Sequence, residues 1–265
     1  MWVLFLRDFE MNSPPPHYTS VADLEGALRQ KGHGVLSAEG VAQWAACPLD
    51  SLQALAPDWQ HMPPDHYLKD GGHYRRRRHG SFVFQNNALA QVPQRAHWQP
   101  LDYNALHGGM ERWFEPLLAT TATSPAFSQL LTALARTAGR VSGQAHLPWC
   151  IEAHQFRIDT TGGIGRPTPE GAHRDGVDFV AVFMVNRTNI KGGETRVFEA
   201  NGSQGERFTL IEPWSLLLLD DARVIHESTP IQPWREGEGG HRDTLVLTCR
   251  AGEFQDAPRS SRLKP

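Results

Sequence analysis

Apolar and polar positions along the chain fall into two regimes that meet near residue 150. Upstream, apolar residues recur at helical spacing. "VADLEGALRQK" places Val21, Leu24 and Leu28 on one face, with Ser20 positioned to cap the segment and Gly32 to stop it. "EGVAQWAAC" and "LDSLQALA" read as two further short helices. The clearest helix is "SPAFSQLLTALARTAG". Ser124 caps it, Pro125 occupies the first turn, Phe127, Leu130, Leu131 and Leu134 form a stripe, and Gly139 ends it.

Downstream, the pattern changes to short runs rich in Val, Ile, Phe and Thr: "EAHQFRID", "DFVAVFMVN", "ETRVFEA", "ERFTLIE", "SLLLLDD", "ARVIHES" and "DTLVLTCR". Gly-, Pro- and Asn-containing segments separate them, which predicts many short strands. No helical pattern lies between these strands, so βαβ units are disfavoured. The expected fold is therefore mainly β with N-terminal helices: a jelly roll, or double-stranded β-helix of the cupin-like kind. The expected organisation is one domain over residues 1–265. It has a mostly helical part to about residue 149, a jelly-roll core over 150–252 and a flexible tail over 253–265. No internal repeat is visible.

Composition narrows the function classes. Forty per cent of residues are hydrophobic and 21% charged, ordinary for a soluble globular chain. The net charge of −3 gives no support to a nucleic-acid surface. No apolar run approaches the roughly 20 residues of a membrane span. "MWVLFLRDFEM" is interrupted early by Arg7, Asp8 and Glu10 and lacks a cleavage site, so it is a poor signal peptide. Met11 is an alternative start, which would make residues 1–10 an upstream extension. Cys47, Cys150 and Cys249 are odd in number and far apart, as expected in a reducing, cytoplasmic compartment rather than in a disulfide framework.

The triplet His-Arg-Asp occurs twice, at 173–175 and 241–243. Among 13 His and 29 acidic residues, roughly one or two His-x-Asp/Glu triplets are expected by chance, so context must decide. On a strand, residues i and i+2 share a face, which would turn His173 and Asp175 the same way. His226, at the end of a later strand, supplies a third donor. Two imidazoles and one carboxylate on one side of a metal are the pattern of non-haem Fe(II) oxygenases. The second triplet has no histidine after it. Alternation there puts Arg242, Thr244, Val246 and Thr248 on one face and His241 and Asp243 on the other. If the first face looks inward, Arg242 is a buried cation that needs a carboxylate, and a cosubstrate carboxylate would serve.

The order His-x-Asp, distal His, then Arg on the next strand resembles the 2-oxoglutarate/Fe(II)-dependent dioxygenases. The closer resemblance is to the bacterial group that hydroxylates free L-amino acids, typified by the L-isoleucine dioxygenases. It is carried by "HQFRID", "PTPEGAHRDGVDFVAVFMVNRTNIKGGETRVF", "DDARVIHESTPI" and "HRDTLVLTCR", and upstream by "YRRRRHGSF" and "YNALHGGMERWFEPL". It spans roughly residues 70–250, most specifically Pro167 to Phe198. The resemblance implies that His173, Asp175 and His226 hold Fe(II) and that Arg242 binds the distal carboxylate of 2-oxoglutarate. It implies O2 as the oxidant, succinate and CO2 as products, and a small substrate, a free L-amino acid that is hydroxylated or sulfoxidised. A Zn(II) hydrolase on the same three ligands, or a jelly roll that only binds, are the alternatives. An oxygenase acting on a peptide or protein side chain is a further one.

Other residues carry weaker signals. Arg157, on the strand before the motif, is a candidate contact to 2-oxoglutarate or substrate, or else a structural ion pair; Thr244 is a second cosubstrate candidate. Gln155 and Arg157 should face away from His154. Arg75–Arg78 reads as a solvated face from which one or two side chains could meet a substrate carboxylate. Glu170 could meet a substrate amino group. "GGIG" at 162–165 looks like a phosphate loop but precedes no helix, so a dinucleotide site is not expected. Gly192–Thr195 should form a tight turn, and Trp214 and Trp234 should pack.

Overall fold

The computed structural model describes residues 14–104 and 106–257. The possible upstream extension at 1–10 and tail residues 258–265 lie outside the described residues. The predicted helices form, with shifted ends. α1 (Leu24–Lys31) starts after a turn in which the Ser20 hydroxyl donates to Asp23, and it stops at Gly32 in the left-handed conformation. α2 (Ala38–Ala45) is capped by Ser37, whose side chain accepts from the Gly40 amide. α3 (Leu49–Gln53) and α4 (Ala119–Ala122) are short. α5 (Pro125–Ser142) does not end at Gly139 but runs one turn further, to Gly143.

Strands are also present where the sequence reads as mainly helical. β1 (His33–Leu36), β2 (Arg75–Gln85) and β3 (Ala88–Gln91) all lie before residue 149. β2 was hidden by its four consecutive arginines, which disguise a period-two strand. The later strands are β4 (Trp149–Asp159), β5 (Phe179–Thr188), β6 (Ile190–Gly192), β7 (Thr195–Glu199) and β8 (Gly205–Phe208). They continue with β9 (Leu216–Asp220), β10 (Val224–Ser228), β11 (Ile231–Pro233) and β12 (His241–Ala251).

Seven strands make one antiparallel sheet in the order β1-β9-β5-β12-β4-β2-β3. A three-stranded sheet, β10-β7-β8, and a two-stranded one, β11-β6, face it. The two layers make the jelly roll. Alternation along each strand of the large sheet assigns its side chains to two different cores. Leu216 and Leu218, Phe183, Leu245 and Leu247 turn outward and pack with Phe127, Leu130, Leu131 and Leu134 of α5. Leu217 and Leu219, Val180 and Met184 turn inward against Val197, Phe208 and Val224 of the small sheet. "LLLL" is apolar at every position because β9 is buried on both faces. Trp214 packs edge-on to Trp59 at 6.4 Å between ring centroids. Trp234, expected to pack, is 38% exposed.

Gly26 and Gly139, two of the helical glycines, should respond oppositely to substitution. A Cβ on Gly26 in α1 meets nothing within 4 Å, so Gly26→Ala should stabilise by about 0.5–1 kcal/mol. A Cβ on Gly139 in α5 would lie 2.9 Å from the Ala145 backbone, so Gly139→Ala should destabilise by about 1–3 kcal/mol despite its better helix propensity. Urea unfolding of the two variants checks this; shifts of the same sign would contradict the packing described.

Candidate functional site

Between the sheets lies a cavity of about 120 Å³ whose walls include His173, Asp175, His226, Arg242 and Thr244. His226 sits on β10, held by the register of that strand with β7. His173 and Asp175 are not on a regular strand as the sequence suggests. His173 instead forms a single antiparallel bridge to His226, with each amide donating to the other's carbonyl at 3.0 Å. That bridge brings the two imidazoles together, 4.6 Å between centroids. Asp175 lies 3.9 Å from His173 Nε2 through Oδ1 and 3.8 Å from His226 Nε2 through Oδ2.

The chain prepares these three groups for a cation. The Nδ1–H of His173 donates to the Gly171 carbonyl at 2.9 Å, so Nε2 keeps its lone pair toward the cavity. Burial and the His173 charge push His226 down to about 4, against the pull of Asp175, so its imidazole is neutral as ligation needs. Burial also opposes protonation of His173, but Asp175 and Glu170 outweigh it and raise its pKa. Asp221, fully buried at the end of β9, pins the Asp175 segment. Its carboxylate accepts from the amides of Asp175, Gly176 and Val177 at 3.0, 2.8 and 3.2 Å. Burial and the Asp175 charge push the Asp221 carboxyl up to about 6. Sequence reading missed this residue; the "DD" that ends β9 was the only sign of it.

β12 resolves the two triplets. Arg242, Thr244, Val246 and Thr248 line the cavity. Asp243 turns to the other face, where Arg157 Nε and Nη2 donate to its two oxygens at 2.7 Å each. Arg157 is therefore corrected from a cosubstrate candidate to a structural ion pair: it alternates with His154, Phe156 and Ile158, which face the cavity. Arg242 is buried, its Nε has no partner, and no ion pair to it occurs among the described residues. Burial and the nearby Arg187 lower its pKa to about 9. An uncompensated buried cation costs several kcal/mol, so a site with a cation on its wall is built for an anion.

The same alternation sorts the arginine run, which is not the solvated face expected. Arg76 and Arg78 point outward, to Asp159 and to the Pro116 and His61 carbonyls. Arg75 and Arg77 are buried in the cavity wall. Arg75 Nε donates to Asp65 at 2.7 Å, leaving Nη2 without a partner. Arg77 lies over the rings of Phe114 and Phe156, at 4.0 and 4.5 Å, and contacts His154 Nδ1 at 2.9 Å. Arg112, which sequence reading did not single out, is also buried in the wall with a free Nε. Burial and Arg75 lower its pKa to about 10. Glu170 lines the cavity 3.6 Å from His173 Nε2, and its Oε2 has no partner.

A second buried cluster, His79, His97, Glu152 and His154, offers donors at metal-like separations. It is better satisfied as a hydrogen-bonded network. Glu152 reaches His79 Nε2 at 3.1 Å, His97 Nδ1 at 3.2 Å and Arg95 at 3.3 Å. Although burial opposes its ionisation, His97 and His79 hold the Glu152 carboxyl well below the usual range. Arg77, Arg95 and Arg112 crowd the cluster with positive charge, which disfavours a second cation. Among the described residues no arginine hydrogen-bonds to the side chains of the first triad, and its donor set fits one divalent ion with open positions toward the cavity.

Comparison with known proteins agrees with this geometry. The family model described as 2OG-Fe dioxygenase matches residues 56–248, well over half of the chain. The crystal structure of a bsmA homolog from Methylobium petroleophilum PM1 is 52% identical, with a TM-score of 0.87 over 92% of this chain and 98% of that one. IDO from Bacillus thuringiensis is similar in fold at 17% identity, with a TM-score of 0.65 over 89% of this chain and 100% of that one. The Fe(II)/(alpha)ketoglutarate-dependent dioxygenase TqaL is likewise similar in fold at 18% identity, with a TM-score of 0.61 over 90% and 92%. Among curated proteins none matches. The matched region contains the His173–Asp175–His226 triad and Arg242, and the chain belongs to the 2OG-Fe dioxygenase family.

Proposed function

We propose that this protein hydroxylates or sulfoxidises a free L-amino acid, using Fe(II), 2-oxoglutarate and O2 and releasing succinate and CO2. The observation that carries the reading is the presence of two separate cationic stations in one cavity. Arg242 on β12 is one; Arg77 on β2, with Arg112, is the other. In register, Arg242 pairs with Ile158 and Ile158 with Arg75, two residues before Arg77, so the backbones of the two stations lie two strands and two residues apart, about 12 Å. One suits the distal carboxylate of 2-oxoglutarate and the other the carboxylate of a substrate. Glu170 lies beside the metal ligands, where it can accept from a substrate ammonium.

The iron centre supplies oxygen activation when it is bound; His173, Asp175 and His226 would hold it. This chain's own groups bind and orient. Arg242 grips the cosubstrate bidentately, and the Thr244 hydroxyl lies on the same inward face. Phe156, Ile158, Val182 and Val246 supply an apolar wall, which supports an aliphatic or sulfur-containing side chain. A Zn(II) hydrolase leaves the burial of Arg242 without purpose, and a module that only binds leaves the complete His173–Asp175–His226 donor set without purpose. An oxygenase acting on a peptide would need to admit chain on both sides of the target, and the second cationic station favours a free carboxylate there instead. Cys47, Cys150 and Cys249 are free and buried, which supports a cytoplasmic setting, and no described helix is long and apolar enough to cross a membrane.

Anaerobic addition of Fe(II) and 2-oxoglutarate should give the weak visible charge-transfer band of the chelate, and succinate release should rise with one or more free L-amino acids. A screen of the common amino acids in which none stimulates turnover would overturn the substrate reading while leaving the family intact. Asp175→Ala should abolish turnover with the fold retained; residual activity would count against the triad. Each charge-assisted hydrogen bond contributes about 1.5–3 kcal/mol, so Arg242→Ala should weaken 2-oxoglutarate binding by orders of magnitude. Arg242→Lys, which keeps the charge but loses the planar fork, should fall between. Unchanged 2-oxoglutarate affinity in Arg242→Ala would show that the cosubstrate binds elsewhere.

A further inference from the structure

Residues 97–104 and 106–112 belong to a loop closed at its neck, where His97 and Arg112 exchange amide-to-carbonyl hydrogen bonds at 2.9 Å. The loop lies over the cavity and contributes His97, Gln99, Asn104, His107 and Arg112 to its wall. Its interior is tightly tied: the Gly109 amide donates to the Gln99 carbonyl at 2.8 Å, and the Gly108 amide to that of Asn104 at 2.7 Å. Tyr103 packs on Gly176, next to Asp175, filling the space a Cβ there would take.

Gln99 is the buried hub of this loop. Its Oε1 accepts from Arg112 Nη2 at 2.8 Å and from Asn104 Nδ2 at 3.2 Å. Asn104 in turn is oriented by its Oδ1, which accepts the His107 amide at 2.7 Å. Two donors on Oε1 leave Gln99 only one way to point its amide nitrogen. That nitrogen donates to Asp175 Oδ1 at 3.1 Å. Oδ1, which also lies 3.9 Å from His173 Nε2, is thus engaged by an amide donor, while Oδ2 lies 3.8 Å from His226 Nε2 without such a donor among the described residues.

We propose that Gln99 is a positioning residue that presents Asp175 to the metal through a single oxygen and ties that ligand to Arg112 on the substrate side of the cavity. The proposal rests on the triad being the metal site and on Arg112 facing the substrate. A carboxylate with both oxygens free can chelate and occupy an additional coordination position. A carboxylate with one oxygen held by an amide N–H takes one position and leaves the others open. Partners of this kind orient metal ligands, and their loss changes metal affinity by about 10- to 100-fold. The link to Arg112 gives whatever binds that guanidinium a direct mechanical connection to the metal ligand, through one side chain.

The test uses Mn(II), which takes six-coordinate oxygen-rich sites and whose bound waters are counted by water-proton relaxation. Wild type, Gln99→Leu and Gln99→Glu are titrated with Mn(II) alone. Gln99→Leu loses all three contacts; Gln99→Glu keeps the acceptor for Arg112 and Asn104 but cannot donate to Asp175. Both should lower the relaxation enhancement per bound ion by about a third, as one of three waters gives way to the freed Asp175 oxygen. Both should also shift the Mn(II) Kd about tenfold or more. Arg112→Met should change the Kd in the wild-type background and have a smaller effect in Gln99→Leu, because the connection is already cut. Wild-type relaxation and Kd in both Gln99 variants would overturn the proposal, and so would an Arg112 effect that is independent of Gln99. Thermal melts establish that each variant is folded. If Asp175→Ala binds Mn(II) as well as wild type does, the triad itself is misassigned, an outcome distinct from a failure of Gln99 alone.

Discussion

A strand sends successive side chains to opposite faces, and in this protein that alternation keeps a dry apolar layer and a charged cavity on two sides of one sheet. β12 shows it best. Leu245, Leu247 and Cys249 pack toward the helices, while Arg242, Thr244 and Thr248 line the cavity. β4 does the same, with Ile151 and Ala153 on one side and His154 and Phe156 on the other. A slip of one residue in either strand would drive arginine and histidine into the leucine layer, so the helices of the N-terminal half fix the register of the site. The site is then completed from outside the sheet, by the His173–His226 bridge and by the loop that carries Gln99 and Arg112.

The cavity holds an unusual density of guanidinium groups. Each is treated differently. Arg75 has Asp65, Arg77 has two aromatic faces and a histidine lone pair, Arg112 has a glutamine carbonyl, and Arg242 has no ion-pair partner among the described residues. Leaving buried cations short of partners is costly, and the apolar layer on the opposite face supplies the stability that tolerates it. In the proposed reading, ligand carboxylates would complete what the chain leaves open. Arg157 illustrates the contrast: on the outer face, with Asp243 beside it, an arginine has its charge compensated by the protein.

The convergence of His173, Asp175 and His226 and the inward placement of Arg242 were legible in the sequence because each depends on a short-range pattern: His-x-Asp, a later histidine at a strand end, and alternation along "HRDTLVLT". The same logic failed for β2, where "RRRR" gives no hydrophobic alternation although two of its arginines are buried. It failed for the end of α5, where Gly139 is a packing contact rather than a stop. Gln99 and Asp221 were invisible for a different reason. Their roles exist only through tertiary contacts, to Arg112 and Asp175 in one case and to three successive backbone amides in the other. Neither contact leaves a periodic trace in the chain. Arg112 lay within a stretch that carried the family resemblance, but nothing in its immediate neighbours distinguished it from a surface cation.

In the proposed reading, Arg242 on the inward face of the large sheet serves the cosubstrate, and Arg77 on the same face, with Arg112 from the loop, serves the substrate. An anaerobic crystal structure with Mn(II) and 2-oxoglutarate tests it most directly. The account predicts the metal among His173, Asp175 and His226, and the distal carboxylate within about 2.7–2.9 Å of the Arg242 guanidinium, with Arg77 and Arg112 left to a second ligand. A 2-oxoglutarate whose distal carboxylate lay on Arg77 or Arg112, with Arg242 uncontacted, would contradict it.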